Sequence, residues 1–406
     1  MNAIDDDHAL TVRNISLDSE SQFSIFYLQY NLYSFDKWTN GTSLENSTQF
    51  TVTNTDHLVK FLLQGVGLSL ITGLGTIGNV CSIIVLLNRR MRSSISCFLV
   101  GLAICDIMIL AVSFITLGLP TLLSFEPRYP GLTSVYLIIG YTVPFTYGLS
   151  TTGLTGSVYF TVAITVERYL VVCHPLISRR ICTWKRACQA SAAIFVISIL
   201  YNLPRWFHFV CDTMYDDNGN SIGCLLKATN WRKNQTYHYY YVFLAYGIVH
   251  YYIPACVLIV CNLLIYLKIR EANKNRRSLS ISDADNSLTY MLFIVVAVFI
   301  ACNLMVGVGV IYKLVTWDKP LTPSPIGGAV GIFLLVLNSS LNFIIYCIYG
   351  ERFREVFVDL TAQLWRRLTR SRQRSDSDFS FGSKSSVAKT SKNVNITSIQ
   401  TICHNV

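Results

Sequence analysis

Charge is what this 406-residue chain has little of: 14% of its residues are Asp, Glu, Lys or Arg, whereas 52% are hydrophobic. That balance excludes an ordinary soluble domain, in which about a quarter of the residues are charged. No cleavable leader is expected either, because residues 1–56 show no basic start followed by an apolar core. The first apolar stretch is therefore expected to act as the export signal. No His-Glu-x-x-His run occurs and no motif is duplicated, which argues against a zinc hydrolase and against a transporter built from repeats. The net charge of +10 sits in short basic runs beside apolar segments, a pattern that orients a membrane protein and does not call for nucleic acid. Most of the 13 cysteines fall inside apolar segments, where Cys behaves as a small hydrophobe, and only Cys211 and Cys224 fall outside the membrane on its outer side.

What is present is a series of seven apolar stretches, at about 58–87, 95–124, 136–169, 184–207, 238–268, 287–315 and 326–349. Each is near the roughly 20 residues needed to cross a bilayer. Arg89, Arg90 and Arg92 follow the first, Arg179, Arg180, Lys185 and Arg186 the third, and Lys268, Arg270, Lys274, Arg276 and Arg277 the fifth. These runs mark the cytosolic side, so the N-terminus is outside. Residues 1–56 carry sequons at Asn14, Asn40 and Asn46, as expected of a glycosylated extracellular tail. Residues 57–349 are expected to form an all-α membrane domain, a seven-transmembrane helix bundle. In 350–368, Phe353, Val356, Phe357, Leu360 and Leu364 recur at three- and four-residue spacing among arginines, which predicts an amphipathic helix on the lipids of the inner leaflet. Residues 369–406 are Ser-rich, without apolar periodicity, and are expected to be disordered and phosphorylatable.

Polar groups inside a membrane are expensive, so they carry information. Asp106 is the lone acid of the second stretch, and Asn338, Ser339 and Asn342 share one face of the seventh. With Ser157 of the third they form a set of hard oxygens around one carboxylate. Such a set suits a small cation such as sodium; a hydrated, hydrogen-bonded core is the other reading. Glu167-Arg168-Tyr169 closes the third stretch ahead of Pro175. An Arg there should snorkel to the cytosolic face, as a switch or as a simple anchor.

In their order and spacing these landmarks resemble the rhodopsin-type (class A) G-protein-coupled receptors. Asn79, Leu102-Ala103-x-x-Asp106, Glu167-Arg168-Tyr169, Pro254 and Asn342-Phe343-Ile344-Ile345-Tyr346 match the family's successive motifs. The resemblance implies no enzymatic chemistry. It implies a G-protein switch at Glu167, Arg168, Tyr169, Pro175 and Tyr346, with Asp285 a candidate resting-state partner of Arg168, and an allosteric sodium ion at Asp106, Ser157, Asn338, Ser339 and Asn342. The departures are specific. Asn303 and Met305 replace the sixth-helix Trp and Pro, Asn262 replaces the fifth-helix Tyr, and Phe343 replaces the seventh-helix Pro. Val143 stands where the third helix usually carries a Cys, so Cys211 and Cys224 are expected to pair within the second extracellular loop, stabilising it by roughly 3 kcal/mol.

The runs Ile164–Tyr169, Cys182–Ala187, Tyr201–Arg205 and Asn338–Tyr346 resemble invertebrate FMRFamide-type neuropeptide receptors more closely. Ser150 stands where amine receptors carry an Asp, and the seventh stretch has no Lys, which disfavours amines and retinal. A peptide with an amidated Arg-Phe end would need carboxylates and an aromatic cleft. Glu126, Tyr147, Ser150, Asp212, Tyr240 and Trp317 are the candidates for that contact. The partners implied are an extracellular peptide, a heterotrimeric G protein, a receptor kinase and arrestin at the tail, and membrane lipids, all at the plasma membrane.

Overall fold

The computed structural model describes residues 61–123, 132–215, 221–274, 293–304, 325–363 and 365–367, with Leu58, Gly219, Val308 and Thr369. Asn14, Asn40, Asn46, Glu126, Asp285, Met305, Trp317 and the Ser-rich tail lie outside the described residues. Among those described, six helices are long and apolar enough to cross a membrane: Phe61–Leu86, Ser94–Leu123, Ile138–Cys173, Trp184–Phe207, Gly247–Glu271 and Val330–Tyr349. A shorter apolar helix, Phe293–Leu304, precedes the last of them. In chain order these are the first to seventh helices below.

Local chemistry sets their ends. Ser93 caps the second helix, its Oγ accepting from the Ser96 amide at 3.2 Å, and Asn88 caps the short turn Arg89–Met91 before it. Pro175 opens the loop helix Pro175–Ile181 at a position where its missing N–H costs nothing. Two prolines explain departures from α-helix. Pro120 clashes with a carbonyl one turn back, and the second helix widens into a π turn over Phe114–Gly118. Pro254 does the same to Gly247–Tyr252 in the fifth.

The second helix is the most buried and packs on the first, third, fourth and seventh. Small residues bring the helices close. A Cβ on Gly101 would lie 2.3 Å from Phe160 Cζ, and one on Gly78 would lie 2.9 Å from Phe343 Cβ. The fourth helix is the least buried, and Val196, Ile197, Ile199 and Leu200 are exposed on it. In a membrane that apolar surface meets lipid and carries no penalty.

Between the fourth and fifth helices a β-hairpin packs on the third. Strand β1, Phe209–Tyr215, pairs antiparallel with β2, Ser221–Ala228, and Gly219 takes φ +80° in the connecting turn. The run Gly219-Asn220-Ser221-Ile222-Gly223 has the spacing of a hydrolase nucleophile elbow, but Ser221 opens a strand here, whereas an elbow needs a strand-to-helix turn.

Residues Arg352–Val406 form a second compact unit. Its described part is helical over 352–363 and 365–367, where the rings of Phe353 and Phe357 stack 6.5 Å apart while Arg352, Arg354 and Glu355 are exposed.

Candidate functional site

Three sites follow from the bundle, one at mid-membrane, one at the cytosolic end and one at the outer end. At mid-membrane Asp106 is fully buried. Ser157 Oγ of the third helix donates to its Oδ1 at 3.0 Å, and Asn342 Nδ2 of the seventh donates to Oδ2 at 2.7 Å. Asn79 of the first helix donates to the Ser339 carbonyl at 2.9 Å, which ties the first helix to the seventh. Ser339 is buried and Asn338 is half-buried. Three helices thus meet at one carboxylate, and the first joins them through the seventh. Hydrogen bonds to a charged group in so dry a place are strong, and each is costly to leave unmade.

At the cytosolic end Glu167 is buried, and Ser94 at the start of the second helix donates to its Oε1. Arg168 is half-buried. Tyr169 reaches the loop, its hydroxyl 3.0 Å from His174 Nε2. The following loop helix presents Pro175 and an 80% exposed Leu176. Tyr346 is buried in the seventh helix. The two asparagines that replace family aromatics both turn back on their own helices. Asn262 donates to the Leu258 carbonyl at 2.7 Å and Asn303 to the Phe299 carbonyl at 2.8 Å.

At the outer end the ligand candidates separate. Tyr147 lies against His208 and Phe209, with ring centroids 5.6 and 5.1 Å away. Ser150 is half-buried one turn further in. Asp212 is on the hairpin, half-exposed and ion-paired with Lys227 at 2.5 Å, and Tyr240 is exposed. Cys211 is disulfide-bonded, and the strand register sets Cys224 opposite Thr213.

Sequence reasoning missed a cluster beside Tyr147. Arg205, at the end of the fourth helix, and Arg232, in the turn after β2, are both buried, and so is His208. Arg232 Nη1 lies 3.0 Å from His208 Nδ1, and His208 Nε2 lies 2.8 Å from the Tyr237 hydroxyl. Since guanidinium only donates, Nδ1 accepts and Nε2 carries the proton. Burial pushes the Tyr237 hydroxyl up to about 12. Deeper, Thr155 Oγ1 joins three helices, 2.6 Å from His250 Nε2 and accepting from Asn202 Nδ2 at 2.6 Å. Arg205 ends the run Tyr201–Arg205, which carries a subfamily resemblance; nothing in the sequence marks Arg232.

Apolar helices packed around an internal polar network define a multi-pass helical membrane protein. The chain belongs to the rhodopsin family of seven-transmembrane receptors, whose family model matches residues 78–346. It is a receptor of the plasma membrane and not an enzyme. It is 33% identical to an FMRFamide receptor of Drosophila melanogaster over 316 residues, 77% of this chain and 56% of that protein. It is 28% identical to the sex peptide receptor of Drosophila melanogaster, over 70% of this chain and 69% of that protein. Its identity to the FMRFamide peptide receptor frpr-18 of Caenorhabditis elegans is 27%, over 73% of this chain and 68% of that protein.

Proposed function

We propose that this receptor binds an extracellular neuropeptide, an amidated FMRFamide-like peptide, and transmits its presence to a heterotrimeric G protein. The observation that carries the reading is similarity across the helical bundle to receptors named for FMRFamide. The geometry is compatible with it: an aromatic outer end around Tyr147 and Tyr237, a polar network at mid-membrane, and Glu167, Arg168, Tyr169 and the loop helix at the inner end. Peptide binding outside repacks the Asp106 network, the inner ends of the fifth and sixth helices move apart, and Arg168, Pro175 and Leu176 face the G protein. Each ligand shifts the equilibrium only by its differential affinity for the two states.

Asp106, Ser157, Asn338, Ser339 and Asn342 would hold an allosteric sodium ion in the resting state. The donor set fits: a carboxylate, two hydroxyls and two amides, with Asn79 Oδ1 buried beside Ser339 and lacking a hydrogen-bond partner. When bound, the ion would neutralise the buried carboxylate. A Cys211–Cys224 bond would close the loop, and a receptor kinase and arrestin would act on the Ser-rich tail. The test is a calcium and cAMP screen of amidated neuropeptides on cells expressing the full chain. A response to Arg-Phe-amide peptides is expected. Silence to all of them, with a response to a different ligand, would remove the ligand class.

A further inference from the structure

Tyr147 hydrogen-bonds Arg232 and Tyr241 hydrogen-bonds Arg205, yet both buried arginines at the outer end keep further donors that no described residue takes up. Nε and Nη2 of Arg205, and the same two atoms of Arg232, are buried and lack a hydrogen-bond partner. These two nitrogens form one edge of the guanidinium, the fork that matches a carboxylate with two parallel N–H···O bonds. The remaining surface of each group is occupied. The Tyr246 and Tyr241 rings cover Arg205 at 4.8 and 5.6 Å, the Phe209 ring covers Arg232 at 4.8 Å, and His208 takes Nη1 of Arg232. An aromatic face satisfies the flat side of a guanidinium but leaves its in-plane N–H groups unmet. Among the described residues neither arginine makes an ion pair; Asp212, on strand β1, is bound to Lys227 instead. The two cations also oppose each other, since Arg205 adds to the burial that lowers the Arg232 guanidinium below its ordinary value. Two buried, like-charged groups with their carboxylate-binding edges vacant are unfavourable as they stand, and an incoming anion relieves both.

We propose that Arg205 and Arg232 form an anion-receiving subsite that binds the carboxylate of an acidic residue of the peptide ligand. This rests on the peptide-receptor reading and extends it. The arginine of an amidated Arg-Phe end cannot sit here, so the subsite takes a different part of the ligand, upstream of that end. It selects peptides by a negative charge, with Tyr147 and Tyr237 as the surrounding walls.

Two arms test it. In the first, the full receptor purified in detergent is melted in sodium acetate, in sodium chloride at equal ionic strength, and in chloride with added acetamide, the uncharged counterpart of acetate. Acetate is expected to raise the wild-type melting temperature by about 2 °C or more, with acetamide inert. The doubly substituted Arg205→Gln, Arg232→Gln receptor is expected to show no acetate effect. Equal behaviour of acetate and acetamide in the wild type overturns the subsite, whether or not the variant folds. It would point to an acid of the chain's own as the partner.

In the second arm, cells expressing the full chain receive Phe-Met-Arg-Phe-amide extended at its N-terminus by Asp or by Asn. The Asp peptide is expected to be at least about tenfold more potent, and Arg232→Gln is expected to bring the ratio close to one. Equal potency in the wild type overturns the proposal. If neither peptide activates the receptor, the FMRFamide reading fails and the acetate arm alone decides the subsite.

Discussion

Asn262 and Asn303 stand where the family carries a Tyr and a Trp, and each spends its amide donor on its own helix. Their loss should therefore be mild. Asn262→Ala is expected to leave agonist-driven G-protein activation within about fivefold, since a hydrogen bond of this kind contributes roughly 1 kcal/mol and the site is half-buried. Arg168→Ala, by contrast, should abolish activation while peptide binding persists, as read by nucleotide exchange and by radioligand binding on the same membranes. Ser94 is the contact that the motif hides. Ser94→Ala removes a charge-assisted bond worth about 1.5–3 kcal/mol from the buried Glu167 carboxylate and should raise ligand-free nucleotide exchange. Unchanged basal exchange would show that Ser94 holds both states equally. The proximity of Asp106 to Ser157 and Asn342 was legible, because polar residues in apolar stretches have few places to go. The burial of Arg205 and Arg232 was not, because charge-based reading places arginines at surfaces.

Among the elements, the pairing of the first helix with the seventh depends on a size match. Gly78 leaves room for Phe343, the residue standing where the family has Pro. Gly78→Ala should overpack this contact by about 1–3 kcal/mol, lowering the melting temperature of the purified receptor, and Phe343→Ala should recover most of that loss. If the second change adds to the first, the two residues do not share the contact. The hairpin Phe209–Tyr215 and Ser221–Ala228 escaped sequence reading. Its strands are short and mixed in character, and the reading there fixed on cysteines and acids. The π turns were half legible, since Pro120 and Pro254 mark where a helix must adjust but not how.

For the molecule as a whole, the seven-helix bundle was readable because hydrocarbon thickness constrains a membrane protein more tightly than water constrains a soluble one. If sodium binds at Asp106, replacing sodium with choline at constant ionic strength should raise agonist affinity about five- to tenfold, an effect that Asp106→Asn should remove. Equal affinities in both salts would leave the network a hydrogen-bonded core.

The widened turns over His238–Ala245 and Gly247–Tyr252 bear on any comparison with other receptors. Along these segments the residues that stack on one face are five apart, where an α-helix spaces them about four apart. Counting back from Pro254 by ordinary helical periodicity therefore loses the correct phase before it reaches the ligand end. A position aligned with a relative's pocket residue can, on this chain, point at lipid, while its neighbour carries the contact. Transferring a mutation by alignment from a receptor whose fifth helix is an ordinary α-helix over this segment would then probe the wrong side chain.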